Sequence, residues 1–536
     1  MKKLFTGGKF YVAREEFAEA VLVEDDRIRA VGKKADLQEL GYDEVIDLTG
    51  KTIIPGLNDS HCHISCVGAA YLQVDLSSCR SIEEIIELTK EFIAKNPELT
   101  KNGVRTMGWN QDLFTSGEKR VLNVHDVDQI STEIPVILER VCGHICAVNS
   151  KALAMKIITK DTPPPRGGTI ECDEFGNPNG VLTENAVQWI EEIIPNYTSE
   201  EKIQFMSKAL NYAASVGLTS VQSNDIAAPN TYGDFDSIRA IYEKDLTKVR
   251  YRHQICAYSP EEMDQIINVE ALQPIYQEEY LKLGPIKMFK DGSLGAKTAM
   301  MRDGYLDEPD NHGVCALEYD LQVELVKAAS QRGLQVVTHV IGDEAIAETV
   351  AAYQEGFIDG KNKLRHALIH CQITDRPLLQ EIADKDISVF FQPIFLDYDL
   401  QILEDRVGKA LARTSYAFKT LAELGAPIGY GTDAPVEDLN PFPNIYAAVA
   451  RKNQQGQPEE GFYSEECVDI YTAIDAYTIG SSYLEFKENE KGRITEGHLA
   501  DFTVLDEDIF EIDTEEIKNI QPRMTVIGGV IVFERN

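Results

Sequence analysis

Eight times between Thr52 and about Lys487 the sequence closes a short apolar run and opens a stretch of helical period. The runs are TIIPGLNDSHCHI (52–64), GLTSVQS (217–223), YRHQICAY (251–258), PIKMF (285–289), LQVVTHV (334–340), LRHALIH (364–370), ISVFFQP (387–393) and APIGYGTD (426–433). Short apolar strands alternating with helices are the pattern of βαβ units, whose parallel strands are covered on both faces. Eight such units predict an α/β fold, a TIM-like (β/α)8 barrel.

One spacing breaks the rhythm. From His63 to Leu218 the chain runs 155 residues, too far for a single barrel crossover. This stretch has helical segments of its own, a Pro-Gly-rich piece (TPPPRGGTI) and a turn-rich piece (EFGNPNGVL). Residues 70–200 therefore read as a subdomain inserted after the first barrel strand, within a barrel spanning 56–487. The two ends have a third texture. KLFTGGKFYV and FAEAVLVEDDRIRAVG, with a hairpin signal at Asp25-Asp26, resemble ADFTVLDEDIFEI and RMTVIGGVIVFE in being short strands broken by turns. Residues 1–55 and 488–536 are expected to meet in one small β-sandwich.

Charge narrows the partners. The chain carries 52 Lys and Arg against 88 Asp and Glu, a formal charge of −36. Such a surface repels phosphate backbones and anionic lipid, so neither nucleic acid nor membrane is expected as a partner. A small-molecule substrate is. MKKLFTGGKF has no apolar region behind its lysines, and no run reaches the roughly 18 apolar residues of a spanning helix. Ten scattered cysteines show no disulfide framework, which fits reduced thiols in the cytoplasm. A homodimer is the default expectation for the assembly.

The chemistry concentrates where the runs end. His61 and His63 are i and i+2 in an extended segment, so their imidazoles face one side while Cys62 faces the other. Neutral imidazole is a good ligand for zinc and its neighbours. Alone, each of these residues has an ordinary explanation. His339 and His370 end buried strands as a core histidine does, and Asp433 precedes APVEDL as a helix cap does. Together they are not ordinary: four of only ten histidines and an Asp fall at the carboxyl ends of the first, fifth, sixth and eighth strands. That rim is where (β/α)8 barrels hold catalytic groups. Lys287 ends the fourth strand on the same rim. It reads either as a surface ion-pairing lysine or as an amine, lowered in pKa by burial, that takes up CO2 to form a bridging carbamate. Lys290, three residues on, faces the opposite way.

The order His-x-His, Lys, His, His, Asp, together with IIPGLNDSHCHI and KGRITEGHLADFTVL, resembles the amidohydrolase superfamily. GWNQDLF, VCGHICAVNSKAL, IKMFKDGSLGAKTA, THVIGDEA, RHALIHCQ and YGTDAPVEDLNP narrow the resemblance to its N-substituted formamide deformylase-like branch. The resemblance covers nearly the whole chain. It implies a divalent metal, zinc or similar and one or two ions, held by His61, His63, His339, His370 and Asp433, with Lys287 as a carboxylated bridge. It implies hydrolysis of an amide-type C–N bond by a metal-activated water, Asp433 serving as general base. Trp109, His144 and Asp291 are candidate substrate contacts. Cys142 and Lys297 depart from the usual Asp and Arg, which bears on substrate choice rather than on metal binding. Two alternatives stand beside this reading. One is a deaminase of a cyclic amidine, which would want Glu three residues after His339, where this chain has Gly342. The other is a metal-free scaffold, which the complete ligand set opposes.

Overall fold

The computed structural model describes all residues except 142–144, 228–231, 273–279 and 536. All eight expected runs form strands of one parallel sheet. They are β1 (Leu57–Cys62), β2 (Leu218–Ala227), β3 (Arg250–Cys256), β4 (Ile286–Phe289), β5 (Val336–Val340), β6 (Ala367–His370), β7 (Ser388–Phe391) and β8 (Ile428–Tyr430). Neighbours pair in chain order from β1 to β8. The sheet is drawn into a barrel at the β8–β1 seam by single bonds. Asp433 N–H donates to the His61 carbonyl (2.8 Å), and His63 N–H to that of Ala434 (2.8 Å). The Thr432 N–H and hydroxyl both donate to the Asp59 carboxylate.

Most barrel strands are buried along their length, as parallel strands under a helical jacket must be. The jacket helices show why they form where they do. In Arg376–Asp384, Asp375 caps Leu378 N–H at 2.8 Å and a proline stands in the first turn. Leu378, Leu379 and Ile382 give it one buried face.

The chain ends build one hydrogen-bonded sheet of eight strands around a shared core that includes Phe5, Phe10, Val21, Phe502, Val504 and Val526. Its joint is Thr52–Pro55, which runs parallel to Lys2–Ala13 and antiparallel to Phe502–Leu505. Lys2–Ala13 changes partner midway, from Glu44–Asp47 to Thr52–Pro55. Gly7 makes the change possible, with φ of +86° and no room for a Cβ, which would lie 2.5 Å from Thr49 Oγ1. The sheet is tied to β3 by a buried bidentate pair, Arg250 with Asp501 at 2.7 and 3.0 Å.

Gly68–Phe205 forms a second compact unit. It has its own five-stranded sheet, in the order Gly168–Cys172, Pro178–Glu184, Ile145–Val148, Val136–Arg140 and Val104–Trp109. Leu76, Ile85, Phe114, Leu138 and Trp109 belong to its core.

Candidate metal centre

The strand ends bring the expected residues together. Nε2 of His61 and Nε2 of His63 lie 3.2 and 3.1 Å from one oxygen, Asp433 Oδ1. Ligand atoms of these three residues all fall within 4.8 Å of one another. The His370 ring is 5.8 Å from that of His61 and 4.5 Å from that of His339, centroid to centroid. Two of the positions are held in left-handed backbone that a side chain seldom adopts, His370 at φ +73° and Asp433 at φ +57°. Strain of this kind persists where the surroundings over-determine it, and it collects at functional sites.

Each imidazole gives one nitrogen to an oxygen acceptor. His61 Nδ1 donates to Gln254 Oε1 (2.6 Å), and His63 Nδ1 to the Asn224 carbonyl (2.7 Å). His339 Nε2 donates to the Gly292 carbonyl (3.0 Å), and His370 Nδ1 to Gln392 Oε1 (2.7 Å). A carbonyl only accepts, so the bonded nitrogen carries the hydrogen, and in a neutral ring the other carries a lone pair. Burial, with Lys287 nearby, lowers His61 to about 4 and His339 to about 3, and burial pushes His370 well below its usual value. These rings are neutral at pH 7. Burial also opposes charge on His63, but the Asp433 carboxylate outweighs it and raises His63. Burial would likewise raise Asp433, yet the facing His61 and His63 rings hold it well below the usual carboxylate range. An anionic oxygen facing imidazole nitrogens in a largely buried site calls for positive charge among them, and a divalent cation meets that need. The donor set therefore fits the expected metal.

Lys287 sits at the same mouth, wholly buried. Among the described residues its Nζ has no hydrogen-bond partner, and it lies 4.0 Å from the centre of the Phe289 ring. Burial lowers its pKa to about 8, so a fraction of the amine is neutral near pH 7. A buried amine without an acceptor is the form that carboxylation would satisfy.

The candidate substrate contacts fare differently. Asp291 is buried and its carboxylate is taken up by the N–H groups of Met300 (2.9 Å), Ile341 (3.0 Å) and Gly342 (2.8 Å), 3.8 Å from His339. It builds the turn after β5, and burial lifts its carboxyl to about 7 despite those bonds. Trp109 belongs to the core of the second unit, with no exposed surface and its indole N–H donated to the Leu138 carbonyl at 2.9 Å. No face of the indole is left for a ligand. His144, like Cys142, lies outside the described residues. The orienting side chains of Gln254 and Gln392, and the backbone carbonyl of Asn224, were not singled out from the sequence. For the two glutamines the signal was there, since a buried side-chain amide must find a partner.

A family model for the amidohydrolase family matches residues 44–533, and the chain belongs to that family. It is 34% identical, over the full length of both chains, to the putative amidohydrolase YtcJ of Bacillus subtilis. It is 26% identical to the N-substituted formamide deformylase of Arthrobacter pascens, covering 98% of this chain and 96% of that one. Among solved structures, an uncharacterised metal-dependent hydrolase from Pyrococcus furiosus superposes with a TM-score of 0.77 at 25% identity, over 95% of this chain and all of its own. The class is thus a hydrolase of the amidohydrolase barrel type.

Proposed function

We propose that this chain hydrolyses an amide-type C–N bond in a small N-acyl or N-formyl amine, using a divalent metal, zinc by preference. The observation that carries the reading is the convergence of His61, His63 and Asp433 beside the His339 and His370 rings and an unpartnered Lys287. When bound, such an ion lowers the pKa of water from about 15.7 towards 7 and polarises a substrate carbonyl. The four histidines, His339 through Nδ1 and the others through Nε2, and Asp433 would hold it. Lys287 would join them as a carbamate: the amine lone pair bonds CO2 carbon, and one N–H proton leaves to solvent. Asp433, anionic at neutral pH, accepts a proton at its carboxylate and returns it to the departing amine as the C–N bond breaks.

The deaminase alternative needs an acidic side chain at position 342. A Cβ on Gly342 would lie 2.1 Å from the Met300 carbonyl oxygen, so the backbone has no place for one. The test is direct. Enzyme reloaded with zinc is offered N-formyl and N-acyl amines and, separately, cyclic amidines. Release of free amine with the matching acid is expected. Ammonia release from the amidines alone, or wild-type protein that binds no metal, would overturn the proposal.

A further inference from the structure

Three barrel strands, β2, β3 and β7, contribute no side chain to the proposed ligand set. Instead β3 and the residue after β7 each place a glutamine behind a histidine. Gln254 is pinned at both ends. Its Nε2 donates to the Ser60 carbonyl at 2.9 Å, so the amide can only turn its oxygen towards His61, where Oε1 receives Nδ1–H at 2.6 Å. His61 must then present Nε2 to the mouth, where Asp433 Oδ1 lies 3.2 Å away. Gln392 is pinned at one end only. Its Oε1 receives His370 Nδ1–H at 2.7 Å, while its Nε2 is buried with no hydrogen-bond partner among the described residues. The bond to His370 is what holds that amide in place.

We propose that Gln254 and Gln392 are positioning residues that fix the ligating nitrogens of His61 and His370 while keeping both rings weak donors. The inference rests on the functional reading above. A carboxylate behind a ligating imidazole makes a charge-assisted bond, about twice as strong as a neutral one, and raises the ring's basicity. An amide oxygen orients the ring without that push, which leaves more positive charge on the ion to polarise a carbonyl. The two glutamines also differ from each other. A carboxylate at position 392 would replace an NH2 that has no partner among the described residues. At position 254 it would set an anionic oxygen against the Ser60 carbonyl.

Gln392→Leu, Gln392→Glu, Gln254→Leu and Gln254→Glu are made in the full chain, stripped of metal, and titrated with zinc against a chromophoric chelator. Gln392→Leu is expected to weaken zinc binding by about 10–100-fold, the usual cost of losing a group that orients a ligand. Gln392→Glu should bind zinc at least as tightly as wild type, yet turn over more slowly, on the order of 10-fold. Gln254→Leu should weaken zinc as Gln392→Leu does, and Gln254→Glu should fail to restore it. Thermal melts of the metal-free proteins identify variants that have merely lost their fold. Such a loss at Gln254 leaves the Gln392 pair to decide. Wild-type zinc affinity in a folded Leu variant would overturn the proposal, as would a Gln392→Glu protein that binds zinc no better than Gln392→Leu. If instead wild type itself takes up no zinc, it is the functional reading that falls.

Discussion

Lys287 and Lys290 are three residues apart, both without exposed surface, and they occupy opposite regions of the barrel wall. Outside the lumen, Lys290 is fully provided for: its Nζ donates to the Leu317 carbonyl at 2.7 Å and pairs with Glu348 at 2.5 Å. Inside, Lys287 has an aromatic face and, among the described residues, no acceptor. The wall treats one buried amine as structure and leaves the other chemically unfinished. A buried donor left unpaired costs about 1–3 kcal/mol, so the wall satisfies one amine and leaves the other at that cost.

The widest gap between the two regions should appear on the lumen side. His61→Ala or His63→Ala should strip bound metal and cut kcat/KM by at least about 10³-fold, with the circular dichroism spectrum kept. Full metal content and turnover in the double variant would erase the contrast. Lys287→Ala should likewise lose metal and activity, and bicarbonate should partly restore activity to CO2-depleted wild type. Lys290→Ala should do neither. It should instead lower stability by about 1–3 kcal/mol in a denaturant melt, because Leu317 and Glu348 lose their partner. If the two alanine variants behave alike, the lumen and the jacket are not distinct in the way described. Asp433→Asn sharpens the picture by keeping shape and removing the base: kcat should fall by about 10²–10⁴-fold, with metal content changed far less.

The smallest effect lies in the Gly68–Phe205 unit, where Glu139 and Glu191 share Arg105 at 3.5 and 3.3 Å. Burial, then the neighbouring Glu191, raises Glu139 from 4.5 to about 8. A raised carboxyl contributes stability that is complete below its unfolded value. That stability is lost as pH climbs through the folded value. The unit should therefore melt lower at pH 8.5 than at pH 5, and Glu139→Gln should flatten the difference. Both tryptophans of the chain, Trp109 and Trp189, lie in this unit, so intrinsic fluorescence reports its melt separately. An unchanged pH profile in the variant would remove Glu139 as the cause.

Much of this could be read from the residues because periodicity and strand ends are local signals. All eight barrel strands, the carboxyl-end positions of His61, His63, Lys287, His339, His370 and Asp433, and the outward turn of Lys290 follow from spacing alone. Partners do not. The run TIIPGLNDSHCHI reads as one strand, yet at Gly56 it passes from the terminal sheet into the barrel, because each half pairs with strands remote in sequence. Gln254 and Gln392 escaped for the same reason, since which histidine an amide faces depends on strand adjacency across the barrel. Trp109 was ambiguous because an aromatic side chain suits a core and a ligand wall equally well. Only the Leu138 carbonyl on its N–H decides.

The strand Thr52–Pro55 sets a schedule for synthesis as well as an architecture. One of its flanks is matched by Lys2–Ala13 almost as soon as both have left the ribosome. The other waits for Phe502–Leu505, some 450 residues later. At about 5–20 residues per second, that flank stays open for roughly 20–90 s on every nascent chain. An unpaired run of Thr-Ile-Ile-Pro invites pairing between neighbouring chains during that interval, and its proline and shortness are what blunt the invitation.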